Sequence, residues 1–219
     1  MKTLQTILTG TLMSLAMGAS AQGVDVGLLN HLSGDVSYAS TGAKDSKAQA
    51  FMKVRQGDRF NVPAGAQLRV VYFNGGRQET WKGPASFKAG AQKSDPESGQ
   101  PADVAQMPAG VPQNIAQVPE LVQIAKLGRS GGIAVRGGGK PGRLSAEQLA
   151  EVSQAKATYA QLRKGATAED ITPELYLYSV LQDHLLYEDM KTVTDEMVKR
   201  QPGNAEVKEL AAYVKSRSQ

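Results

Sequence analysis

The chain has no cysteine, only two histidines and a single tryptophan among 219 residues. Without cysteine there is neither a disulfide framework nor a lipid-attached cysteine, so the fold must hold by its core alone. A zinc site of the usual Cys/His kind has no ligands to draw on. Calcium fares no better, since no Asp-x-Asp-x-Asp-Gly loop is present. His31 and His184 stand far apart in the sequence. Asp183 and His184 are neighbours on a predicted helix, where adjacent side chains do not face each other, so no serine triad forms there. Each histidine reads as an ordinary surface or core residue. The chain therefore reads as non-enzymatic, with no cofactor.

Long hydrophobic runs are missing too. The longest apolar stretch, 4–17, is broken by Thr9, Gly10, Thr11 and Ser14 and falls short of the ~20 apolar residues a membrane span needs. With Lys2 ahead of it and Ala19-Ser20-Ala21 behind, it has the three parts of a secretory signal peptide, with cleavage after Ala21. That predicts export of the mature chain from the cytoplasm. A formal charge of +4 and a pI near 9.2 let it associate with anionic surfaces, but so small an excess does not argue for nucleic acid. Hydrophobic content of 41% against 21% charged marks a globular chain.

From 24 to 90 short strand-like runs alternate with turn signals. Leu68, Val70 and Tyr72 fall on one face of an extended segment and Arg69, Val71 and Phe73 on the other, so this strand is expected to be buried on much of both faces. Asn74-Gly75-Gly76 marks a tight turn. Further breaks at 33–35, 57–58, 63–65 and 83–84 predict strands near 25–32, 34–39, 48–54, 57–62, 67–73 and 77–89. Residues 91–112, rich in Ala, Gln, Pro, Ser and Gly, read as a mobile connector. A short helix over 114–127 and a basic, glycine-rich stretch over 128–143 complete a connecting region, 91–143.

The remainder, 144–219, is helical. Ser145 with Gln148 fits a capping box, and helices are expected at 145–163, 173–185, 187–200 and 205–217. Gln201-Pro202-Gly203-Asn204 stops one helix and starts the next. The fold class is thus α+β: a small all-β N-terminal domain, a sandwich or roll, followed by helical hairpins.

Two resemblances follow from these residues. Leu32-Ser33-Gly34-Asp35-Val36, Val54-Arg55-Gln56-Gly57-Asp58-Arg59-Phe60, Asn74-Gly75-Gly76 and Gly83-Pro84-Ala85, around the strand 68–73, resemble the FecR-like periplasmic domain. The resemblance spans 26–90 and implies a β-structure engaged in signalling or envelope protein contacts. No anti-sigma segment precedes it, so the iron-signalling role is not carried over. Residues 171–204, with Leu177, Tyr178, Leu181, Tyr187, Met190, Met197 and Pro202, resemble one tetratricopeptide repeat, although Met190 and Thr194 depart from its pattern. A single repeat needs neighbouring helices to bury its face, and an ordinary helical bundle remains the alternative.

Other features carry a chemical and a bland reading side by side. Gly137-x-Gly139-x-x-Gly142 matches a dinucleotide fingerprint, but Pro141 sits inside it and no second parallel strand follows. Lys140-Pro141 lacks the Ser or Thr of a P-loop. Trp81, Tyr72, Phe73 and Phe87 form either an exposed aromatic platform or the filling of a small β core. Glu169-Asp170 and Glu188-Asp189 suit helix starts. The reading that joins these observations is an envelope scaffold that binds another envelope protein through Tyr178, Asp183 and Tyr187 on the helical half and Arg77, Glu79 and Trp81 on the β half. The alternative is a module for cell-wall glycan, lipopolysaccharide or another anionic polymer, bound through Arg129, Arg136, Lys140 and Arg143.

Overall fold

A computed structural model describes residues 23–129 and 143–218. The signal-peptide segment and the glycine-rich fingerprint, with Arg136 and Lys140, lie outside the described residues. The class is α+β. Ten strands form two antiparallel five-stranded sheets: β1 (Asp25–Ser33), β2 (Ser37–Ala39), β3 (Ser46–Lys47), β4 (Lys53–Arg55), β5 (Arg59–Val62), β6 (Gln67–Tyr72), β7 (Arg77–Lys82), β8 (Ala85–Ala89), β9 (Ser94–Ser98) and β10 (Asp103–Gln106). Among the described residues there are six helices: α1 (Val111–Ala116), α2 (Val118–Arg129), α3 (Ala146–Gly165), α4 (Thr172–Asp183), α5 (Tyr187–Arg200) and α6 (Ala205–Arg217).

One sheet has the order β10-β7-β6-β1-β4 and the other β3-β2-β5-β8-β9. They face each other across a core of Leu29, Leu68, Val70 and Trp81 from the first and Phe60, Val62, Ala85 and Phe87 from the second. Trp81, Phe87, Phe60 and Tyr38 stack in sequence, with ring centroids 4.4, 5.1 and 5.8 Å apart. Burying each large apolar side chain of this core stabilises the fold by about 1.5–3 kcal/mol.

The expected strand 77–89 is two strands, because the chain passes from one sheet to the other at Gly83-Pro84. A Cβ on Gly83 would lie 1.8 Å from the Pro63 carbonyl oxygen, so only glycine fits that crossing. The expected strand 48–54 is also divided: Ala48 to Met52 leave the ladder between β3 and β4, and Phe51 there adopts a left-handed φ of 61°. The expected mobile connector, 91–112, is the largest correction. It holds β9, paired with β8, and β10, paired with β7, so the segment ties an edge of each sheet. Ser-Asp-Pro-Glu-Ser has little strand propensity, and its strand conformation comes from the ladder offered by β8 rather than from its own side chains.

The second face of the β1–β6–β7 sheet carries the helices. Along β6, Leu68 and Val70 point into the sandwich while Val71 joins Leu28, Met107, Ile115, Leu175 and Leu181 in a core shared by both halves. The two-sided burial expected from the sequence is present. A bulge between Leu29 and His31 shifts the register of β1 on β6, pairing Leu29 with Val70 and His31 with Arg69. Helix α4 lies at the centre of the helical layer, with every residue from Thr172 to Leu181 buried. It packs on α1, α2, α3 and α5.

The interface between sheet and helices is polar along one line. Asp170, 4% exposed, accepts a hydrogen bond at 2.9 Å from Gln78 Nε2 and another at 2.9 Å from the Thr172 amide, and lies 3.3 Å from Arg69 Nη1. Arg69 Nε donates to Thr80 Oγ1 at 3.0 Å, and Asn30 Nδ2 to Thr172 Oγ1 at 2.5 Å. Asp170 thus satisfies the start of α4, as the sequence suggested for an acid at a helix start, and also binds the sheet.

Because the core is shared, the two halves are expected to unfold as one unit. In a urea titration, Trp81 fluorescence and the helical circular dichroism signal will give coincident transitions, and separate midpoints would show two independent halves. A second expectation concerns His31, whose pKa is lowered from 6.5 by burial and by the nearby Arg69 cation, against the opposing pull of Asp170, Glu169 and Gln201. The folded protein takes up this proton less readily than the unfolded chain. His31 therefore contributes stability that is complete above about pH 6.5 and is lost as pH falls through its lowered folded value. The urea midpoint should fall from pH 7 to pH 5, and His31→Asn should flatten that slope.

Candidate functional site

Helix α3 starts with the expected capping box: Ser145 Oγ accepts from the Gln148 amide at 3.2 Å, and the Ser145 amide donates to Gln148 Oε1 at 2.9 Å. Of its twenty residues only Val152 and Ala155 are buried, so polar contacts do much of the work of holding it. The chief one is Glu174 on α4, whose carboxylate has no solvent exposure. It receives Arg163 Nη1 of α3 at 2.9 Å, Arg200 Nε of α5 at 3.1 Å and the Tyr159 hydroxyl at 3.2 Å. A single carboxylate thereby draws the helices on either side toward α4. Arg163 also donates to the carbonyls of Thr167 and Asp170.

Beside this node the three helices leave a groove of about 310 Å³. Leu177 and Leu181, one turn apart on α4, line it with Val193 of α5 and Tyr159 of α3. Lys156, Asp189, Thr192 and Glu196 complete the lining, and Lys156 Nζ meets Asp189 Oδ2 at 2.9 Å, joining α3 to α5. Burial and the neighbouring Glu174 carboxylate push the Tyr159 phenol up from its ordinary pKa of 10.0. An apolar floor under a charged rim suits the apolar face of an amphipathic helix. Among the described residues no cluster of His, Asp or Glu could hold a metal ion, and no helix is long and apolar enough to cross a membrane.

The residues expected to touch a partner are placed differently. Tyr178 is 1% exposed, its hydroxyl makes no hydrogen bond among the described residues, and burial raises its pKa. Tyr187 is also buried, edge-on to Tyr213 at 6.5 Å. Both serve the packing of α4, α5 and α6, because large aromatics at helical spacing filled the core instead of the surface. Asp183 does face solvent, with its carboxyl pKa raised chiefly by partial burial. The three residues do not converge on one surface.

On the β half, Arg77, Glu79 and Trp81 do meet, but around a buried carboxylate. Glu79 accepts Arg77 Nε at 2.5 Å, Trp81 Nε1 at 3.1 Å and the Ser94 amide at 3.3 Å. Glu79 and Trp81 face the sandwich interior, and only Arg77 is half-buried. Trp81, Tyr72 and Phe87 are core residues, not a platform, and Phe73 packs against the shared core. Of the basic set, Arg129 ends α2 and Arg143 is exposed ahead of α3.

Sequence reasoning named Leu177 and Leu181 as tetratricopeptide-like positions and Asp189 at a helix start, but did not bring them together with the other lining residues. Leu177 and Leu181 at i, i+4 carried the usable signal, while the rim depends on which helix lies beside α4. Compared with family models, curated proteins and solved structures, the chain matches none. The FecR-like and tetratricopeptide-like resemblances rest on the quoted residues alone. Glu174→Ala leaves two largely buried guanidinium groups without their carboxylate. It is expected to lower stability by about 3–5 kcal/mol, read as a fall in urea midpoint at unchanged m-value.

Proposed function

We propose that the chain is an exported, non-enzymatic scaffold of the bacterial cell envelope, whose α3–α4–α5 groove seats the apolar face of a helix from another envelope protein. The observation that carries this reading is the groove itself, floored by Leu177, Leu181 and Val193 and rimmed by Lys156, Asp189 and Glu196. Its rim has two acids to one lysine, which favours a partner helix flanked by basic residues. The signal-peptide features of residues 2–21 support export to the periplasm, and the FecR-like resemblance supports a role in envelope contacts or signalling. The buried carboxylates Glu79, Asp170 and Glu174 each accept hydrogen bonds from arginine, amide or indole donors. Such engagement suits structural roles better than acid–base turnover.

The test is capture in the source bacterium with tagged residues 22–219, cross-linking, and comparison with rim variants. Glu196→Gln and Thr192→Arg lower the negative charge of the groove mouth at a half-buried and an exposed position and should leave the fold intact. One dominant envelope protein, lost with both variants at unchanged circular dichroism, is the expected result. Equal recovery with wild type and variants removes the groove from the account. Retention on cell-wall or lipopolysaccharide material that disappears with salt points to the anionic-polymer module instead.

A further inference from the structure

On another face of the molecule, a cleft of about 370 Å³ opens where the sandwich meets α2 and α6. Its size lies within the roughly 300–1,000 Å³ of small-molecule sites, and junctions between structural units are favoured places for them. Tyr38 and Ser40 bound it on one side, Gln123 and Lys126 on the other, with Gln49, Phe51 and Asp58 between. The segment 49–52 that shapes it includes Phe51, held at a φ of 61° with 4% exposure and an amide bonded to the Leu29 carbonyl at 2.6 Å. A bulky residue in the left-handed region is strained, and such strain persists only where surrounding structure imposes it.

The charges around the cleft are matched among themselves. Lys53 pairs with Glu120 at 2.6 Å and Asp25 at 3.3 Å, and Lys126 with Glu206 at 2.8 Å. Asp58 accepts from Ser40 Oγ at 2.7 Å and from the Arg55 amide at 2.9 Å. Arg55 Nε lies 3.5 Å from Asp25. Among the described residues, the uncharged lining side chains that make no hydrogen bond to the chain are the Tyr38 hydroxyl and the carboxamides of Gln49 and Gln123. A phenol and a carboxamide each donate and accept. A hydroxyl does the same, so these three groups complement a hydroxyl-rich ligand and give no preference to an anion or a cation. Tyr38 also brings an aromatic ring, whose place is set by stacking on Phe60.

We propose that this cleft binds a neutral oligosaccharide, held by Tyr38, Gln49 and Gln123. It is separate from the helix groove and does not depend on it. In this site the matched ion pairs frame the cleft, the two carboxamides bridge ring hydroxyls, and the Tyr38 ring meets the apolar face of a sugar.

The experiment is a backbone-amide NMR titration of residues 22–219 with N,N′-diacetylchitobiose, cellobiose and inorganic phosphate, each up to about 10 mM, the range of weak single-site binding. Saturable shifts confined to 38–58 and 119–126 with at least one disaccharide, and none with phosphate, are expected. The Gln49→Ala/Gln123→Ala double variant changes only exposed side chains and should weaken binding at least about tenfold. Tyr38→Phe keeps the stack on Phe60 and should weaken it less. Unchanged Trp81 fluorescence in each variant certifies the fold. No shift with either disaccharide, shifts outside the cleft, binding by phosphate alone, or full affinity in the double variant would each overturn the proposal.

Discussion

Everything in this molecule depends on one sheet being buried twice. Strands β1, β6 and β7 give Leu29, Val70 and Trp81 to the sandwich on one side and Leu28 and Val71 to the helices on the other. Alternation of side chains along a strand makes this possible, since each position can serve only one layer. The bulge in β1 adjusts that alternation, so that residues on either side of Asn30 still reach the layer they suit. Neither the second sheet nor α4 would have a surface to pack on without this shared layer. With no disulfide available, the layer also bears the stability that some small domains draw from covalent links.

Polar groups then decide how the layers are set against each other. Apolar packing alone tolerates sliding, whereas hydrogen bonds from Gln78 and Arg69 to Asp170, and from Asn30 to Thr172, accept one position of α4 on the sheet. Glu174 does the same for the helices around α4, and Glu79 for the edge of the sandwich at Ser94. Each of these carboxylates is almost entirely removed from water, a state that costs free energy unless donors surround it. The donors are present in every case, which is why the same residue types that suggested surface contacts turn out to be fixtures of the interior.

Much of the architecture could be read from the amino-acid order. The alternation of residues 68–73 reported a strand buried on both sides, the Ser145–Gln148 pair reported the start of α3, and Gln201 to Asn204 reported the break between α5 and α6, where Asn204 Oδ1 caps the Glu206 amide at 3.0 Å. Local signals of this kind act over a few residues. What could not be read depends on distant partners. Ser94 to Ser98 form a strand because β8 lies beside them, and Asp170 is buried because a sheet 92 residues away offers Gln78. Tyr178 and Trp81 were taken for contact residues because aromatic identity does not say which side of an element faces outward. The groove beside α4 and the cleft at α2 and α6 were invisible for the same reason: each is made by three or more segments whose adjacency no short window contains.

The bond between Asn30 and Thr172 closes a loop of 142 residues. A ribosome releases the chain from its amino end, so the sandwich strands are complete long before α4 exists. For that interval Leu28 and Val71 have no helical cover, and Arg69 lacks Asp170. The nascent sandwich is therefore born with an adhesive face, and its safe passage depends on how quickly the rest of the polypeptide arrives.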